Sequence, residues 1–421
     1  MTGPLKRDLR FADVVALGIN GVIGTGIFFL PGEAAALLGP AATLAFLLSA
    51  ILSALLVLCF AEAGSRFRTT GGPMLYAASA FGRFVGFEVG WMTLVVRIIT
   101  WGALGNAMVT AMVAIAPNAA AYGTWILCLL FAFIAAVNLS GVRSSARATN
   151  FFTLAKLIPM IAFVGVGIFF FDVELTRPFA PHGYSEIGGA TLLLFFAFVG
   201  FEVTSVPAGE MRDPQRDVPR GLITTMTVIT VVYLSIWAVC VGTLPALAGS
   251  ESPVSDAANL FMGPTGALLV SSGILMSVIG VNFAISITAS RTLYALASDG
   301  FLPAVFGRTH ASTGAPAPAI LATSALSLAV ALSGSYVELA VLSVLARFTQ
   351  FIPTCIAVLV WRRRACEASA FRVPGGPIVP VAALGICAWL LSQAEPRQIF
   401  WGGVAVAIGA ALYVLGPKSG R

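Results

Sequence analysis

The feature that most constrains this chain is its first apolar run, about residues 11–38. It is long enough to cross a hydrocarbon layer of ~30 Å as a helix, yet it carries Gly18, Gly21, Gly24 and Gly26 in its middle. Each interior glycine costs a helix roughly 1 kcal/mol relative to alanine. Inside lipid, backbone that leaves the helix must find protein, water or ligand partners for its N–H and C=O groups. Two readings follow. A helix broken near mid-membrane offers the amides of one half to an anion and the carbonyls of the other to a cation, which suits a zwitterion. Alternatively, the glycines form a stripe of small residues for close helix packing.

Composition fixes the class. Hydrophobic residues make up 58% of the 421 and charged residues 10%, so the chain is expected to be an all-α, polytopic integral membrane protein. Lys6, Arg7 and Arg10 precede the first run, but no small-residue cleavage site follows a short apolar core, so this segment is expected to stay in the mature chain. The six cysteines (Cys59, Cys128, Cys240, Cys355, Cys366, Cys387) form no C-x-x-C pair and read as small apolar fillers. His182 and His310 fall in expected loops, and there is neither a metal-ligand cluster nor a nucleotide-binding glycine loop. Neither an enzyme nor a cofactor is therefore expected.

Apolar runs and their flanking turns give twelve spans, at about 11–38, 41–66, 84–115, 122–140, 148–171, 187–211, 219–243, 265–298, 317–334, 336–361, 375–392 and 397–416. With the N-terminus in the cytoplasm, nineteen of the 24 Lys and Arg residues fall on the cytoplasmic side, Lys418 and Arg421 among them. Arg177 and Arg397 fall outside, and Arg97, Lys156 and Arg347 fall within the membrane. This asymmetry places both termini in the cytoplasm. It also argues against nucleic acid, because the net charge of +6 is spread over short loops as a topology signal.

A second interruption stands where an inverted repeat requires one. Segment six, residues 192–205, holds Gly200, Glu202, Thr204 and Ser205 near mid-membrane. It opens a second set of five spans (187–361) as segment one opens the first (11–171), and it runs in the opposite direction. Spans 375–392 and 397–416 lie outside the repeat. Two interruptions at equivalent places favour a substrate site over a packing stripe.

Four motifs then line up in order. They are Gly21-Val22-Ile23-Gly24-Thr25-Gly26-Ile27-Phe28, and Thr70-Gly71-Gly72-Pro73 with Tyr76. Next come Phe198-Val199-Gly200-Phe201-Glu202 with Gly209-Glu210-Met211-Arg212-Asp213-Pro214, and the stretch from Ser290-Arg291 to Leu302-Pro303. In these the chain resembles the amino acid/polyamine/organocation transporter superfamily over about residues 10–415; Pro73 and Met74 widen the usual spacing of the second motif. The resemblance implies a leucine-transporter-like fold of 12 transmembrane helices, five plus five inverted with two extra, in which helices one and six are discontinuous. It implies secondary amino acid transport by alternating access in the inner membrane, as a monomer or homodimer.

The site residues expected on this basis are few. Thr25, with the amides around Val22, Gly24 and Gly26, is expected to receive a substrate carboxylate. Carbonyls near Val199 and Gly200 are expected to receive the ammonium. Phe196 matches the position where relatives put an aromatic lid, with Phe201 a second candidate; a phenylalanine in an apolar helix is otherwise a core or lipid-facing residue. Lys156 is read about eight residues inside helix five, where an ammonium costs a few kcal/mol and is a functional candidate by default. Family members that are proton-coupled place a lysine where sodium-coupled relatives bind a cation, so Lys156 is the expected proton carrier; the plainer reading lets its stem snorkel to the interface. Glu202 is a candidate for proton relay, substrate contact or support of the unwound segment. Arg97 faces either the pocket or Glu202, Arg347 reads as structural, and Asn282 and Ser286 are possible pocket residues or interhelical hydrogen-bonding groups. The resulting expectation is proton-coupled uptake of a neutral amino acid. The alternative is an amino acid/amine exchanger, and beyond it a non-transporting sensor, for which tails of about ten and five residues leave little room.

Overall fold

The computed structural model describes residues 5–333, 346–364, 369–392 and 396–415, which are helical almost throughout. Among the described residues there is no β-strand; extended backbone pairs once, Leu9 with Met211. Leu9 N–H donates to the Glu210 carbonyl (2.9 Å) and Arg212 N–H to the Leu9 carbonyl (3.2 Å).

The helices follow the apolar runs. In order they are α1 (Phe11–Val22), α2 (Gly26–Leu38), α3 (Ala42–Gly64), α4 (Pro73–Phe81), α5 (Arg83–Ile115), α6 (Gly123–Leu139) and α7 (Val142–Gly167). Then come α8 (Ile187–Phe198), α9 (Pro214–Thr243), α10 (Pro253–Ser298), α11 (Ala317–Ser333), α12 (Phe348–Arg363), α13 (Ile378–Ser392) and α14 (Pro396–Leu415). Prolines open α4, α9 and α10 at the first helical position, where a missing N–H costs nothing. Among the described residues, seven helical stretches are long and apolar enough to cross a membrane.

Lipid exposure is written on α7. Phe151, Leu154, Ile158 and Ile161 are each 62–63% exposed, while Thr149, Thr153, Lys156 and Met160 on the other face are buried. A helix that is apolar outside and polar inside has lipid, not water, as its surroundings. The inner elements are α1, which packs on α7, α9 and α10, and α8, which packs on α2 and α3.

Several boundaries differ from the sequence expectation. The fifth helix begins at Val142 rather than 148, because Gly141 (φ 110°) ends the preceding turn and the charged stretch with Arg143 and Arg147 is already helical. The seventh begins at Pro214, with Pro219 carried inside it. The eighth extends back to Pro253 through a kink at Gly263 (φ 67°). The sixth span is α-helical only to Phe198 and continues as short 3₁₀ turns, Phe201–Ser205 and Ala208–Glu210. Residues 336–345 of the tenth span, Cys366, Lys418 and Arg421 lie outside the described residues.

Candidate functional site

α1 stops at Val22, Ile23 turns to ψ 91°, and α2 begins at Gly26. The buried carbonyls released there must be met. Lys156 Nζ donates to the Ile23 carbonyl (2.7 Å) and lies 3.4 Å from that of Ser277. Ser277 Oγ contacts the carbonyls of Ile23 and Gly24 at 2.9 Å each. Lys156 is fully buried beneath this interruption. Because α7 starts at Val142, the residue stands fourteen positions along the helix, about 21 Å from its first residue at 1.5 Å per residue.

α8 ends in the same neighbourhood. Val199 takes up extended backbone and Gly200 has φ 120°, a conformation that L side chains rarely adopt. Gly200 N–H donates to Glu202 Oε2 (3.1 Å). A Cβ on Gly200 would collide with the Gly21 carbonyl, and one on Gly21 would stand 2.8 Å from the Gly200 carbonyl. The two interruptions therefore touch through glycines that have no room for a side chain. Tyr233 on α9 spans them: its hydroxyl lies 3.2 Å from the Ala197 carbonyl and 3.4 Å from that of Val22.

Between them opens a small cavity of about 60 Å³. One wall is Gly21, Val22, Gly24, Thr25 and Gly26, and the facing wall is Phe196, Ala197 and Val199. Thr100, Ala103 and Leu104 of α5, Val281 and Ile285 of α10, and Arg347 complete it. Its lining mixes apolar walls with a few polar groups, as small-molecule sites do.

Of the residues expected from sequence, Val22, Gly24, Thr25, Gly26, Phe196 and Val199 line this cavity. Gly200 and Glu202 stand behind its wall. Phe201 is fully buried away from it, stacked on Phe351 (5.6 Å between centroids) and edge-on to Phe60 (5.4 Å). Asn282 Nδ2 donates to the carbonyls of Leu104 (3.1 Å) and Val278 (2.8 Å), and Ser286 Oγ accepts from Asn138 Nδ2 (2.9 Å). On α10 it is their neighbours Val281 and Ile285 that face the cavity.

Charge gathers behind one wall. Glu202 Oε1 accepts from Arg347 Nη1 at 2.5 Å and lies 3.5 Å from Arg97 Nη1. Arg347 Nη2 is also 3.5 Å from Thr100 Oγ1. All three side chains are buried, so two guanidinium groups share one carboxylate. Among the described residues, none of the guanidinium nitrogens of Arg97 has a hydrogen-bond partner.

Sequence reasoning missed three contributors. Tyr233 and Ser277 are isolated polar residues in apolar helices and carry no pattern, while Arg347 was legible only as a buried charge. The family-like motifs, by contrast, meet in space. Glu210, from the exit of segment six, takes a bidentate contact from Arg291 near the end of α10 (2.8 and 3.0 Å). Among the described residues no group of His, Cys, Asp or Glu could hold a metal ion, and Cys59, Cys128, Cys240, Cys355 and Cys387 are free thiols.

The sequence pattern of the family described as amino acid permease matches residues 9–396. A methylthioribose transporter of Bacillus subtilis is 30% identical, the alignment covering 98% of this chain and 93% of that protein. The branched-chain amino acid permease BcaP of the same organism is 29% identical over the same shares. Its serine/threonine exchanger SteT is 27% identical over 97% of this chain and 95% of its own. These relatives are named for different substrates, so likeness alone does not choose among them. With its match running over nearly the whole length, the chain belongs to the amino acid permease family.

Proposed function

We propose that this protein is a secondary active transporter that carries a neutral amino acid into the cell with protons, by alternating access. On this reading residues 11–171 and 187–361 are two inverted five-helix repeats, and 375–416 supply two further helices. That makes twelve spans in the inner membrane with both termini in the cytoplasm. α1 with α2, and α8 with the 3₁₀ turn after it, are then the discontinuous first and sixth helices. The observation that carries the proposal is that the two interruptions meet at one cavity, Gly21 against Gly200, and that residues of both line it.

The substrate carboxylate is assigned to the amides around Val22, Gly24 and Gly26, with Thr25 beside them at the start of α2, where a helix dipole favours negative charge. The ammonium is assigned to carbonyls near Val199 and Gly200 and at the end of α1. Phe196 closes over the ligand, while Phe201 backs the unwound segment from the aromatic cluster. Lys156 carries the proton. Its contact with the Ile23 carbonyl ties its charge state to the backbone that forms the site, and Glu202 holds the second interruption through the Gly200 amide.

Purified protein in liposomes is expected to take up an amino acid saturably and faster with an inward proton gradient, and Lys156→Ala to lose the gradient dependence. Unchanged coupling in Lys156→Ala removes the lysine's role. Failure of every one of the common amino acids and polyamines to bind in a thermal-shift panel removes the transport reading itself. A second reading, exchange of amino acids or their amine products, is supported by the likeness to an exchanger along nearly the full chain. It predicts uptake that requires internal substrate and persists without a gradient.

A further inference from the structure

The buried charges behind the cavity do not balance. Arg97 and Arg347 are each ion-paired with Glu202, and among the described residues Glu202 is the one carboxylate paired with either. Guanidinium groups stay charged at any physiological pH, so, counted over the described residues, the cluster carries one surplus positive charge whatever the state of Lys156. Thr100, one helical turn along α5 from Arg97, lines the cavity and lies within reach of Arg347 Nη2, while Arg347 itself forms part of the wall. The rest of that wall is Ala103, Leu104, Val281 and Ile285, which bring no counter-charge. A charge in such low-polarity surroundings acts over several ångströms with little screening.

We propose that Arg97 and Arg347, sharing Glu202, form a charge filter that excludes amino acids with cationic side chains. Arg347 presents the charge to the cavity. Arg97, which does not line it, prevents Glu202 from neutralising that charge. The inference rests on the amino acid reading of the cavity and names the residues that set its selectivity. Exclusion here works by repulsion of the wrong ligand rather than by an added contact to the right one. Charge, and not shape, is the variable.

The test is ligand-induced thermal stabilisation and competition uptake, using the neutral amino acids alongside lysine, ornithine and arginine. The wild-type protein is expected to respond to neutral members and to none of the cationic ones. Arg97→Gln leaves Arg347 and Glu202 as a neutral pair and is expected to raise the affinity for a cationic member relative to a neutral one by on the order of a hundredfold, the effect of a unit charge at several ångströms in a protein interior. Arg97→Lys keeps the charge and is expected to keep the exclusion. A purely structural role would move neutral and cationic ligands together, and the ratio would stand still. Should Arg97→Gln fail to fold, Arg347→Gln poses the same question, because it leaves Arg97 and Glu202 paired. Cationic binding by the wild type, or equal ratios in the Gln and Lys variants, overturns the filter while leaving amino acid transport intact. Silence of the whole panel overturns the transport reading, a distinct result.

Discussion

At the scale of single residues, two glycines, one from each interruption, have opposite tolerances. A side chain on Gly24 would meet no atom within 4 Å and would project into open space beside the cavity. Gly24→Val is therefore expected to fold with a melting temperature near that of the wild type and to lose most ligand-induced stabilisation. Gly200 combines a positive φ with backbone contact, so Gly200→Ala is expected to destabilise by roughly 2 kcal/mol or more, read from the melting temperature without ligand. Tyr233→Phe removes one hydroxyl that spans both interruptions, and uptake is expected to fall about tenfold against a stability loss of about 1 kcal/mol. The importance of Gly21, Gly24 and Gly200 was legible because glycine within an apolar run is anomalous. That of Tyr233 was not, since a lone tyrosine in such a run has many possible neighbours.

Among whole elements, rotation and boundary decided what sequence could reveal. Asn282 and Ser286 drew attention as polar residues, but a shift of one residue on a helix is a turn of about 100°, and that turn gives the cavity to Val281 and Ile285. The start of α7 differs for a related reason. The span was taken to begin at the first apolar residue, whereas the preceding basic stretch is helical as well. Two elements are clamped at their ends by the Glu210–Arg291 pair, both side chains buried. Removing one partner of such a pair costs ~3–5 kcal/mol, because a lone charge is left behind. Arg291→Met is accordingly expected to lower the melting temperature sharply, and Glu210→Gln added to it to restore much of the loss. Simple additivity of the two losses would contradict the clamp.

For the molecule as a whole, apolar run lengths and the distribution of Lys and Arg made the helical membrane class readable without coordinates, since lipid admits few other solutions. What they could not supply was which helix faces converge, a property of packing between residues far apart in the chain. The short pairing of Leu9 with Glu210 and Arg212 belongs to this scale, because it ties the approach to the first helix to the exit from the sixth. Any movement that parts those two regions must first undo two backbone hydrogen bonds. If the protein works by the proposed alternating access, the pairing acts as a detent, a small fixed resistance that must yield before the bundle swings. Leu9→Pro deletes one of the two donors. The two regions should then part more often, seen as faster thiol labelling of Leu17→Cys, whose side chain lines a small pocket together with Leu9.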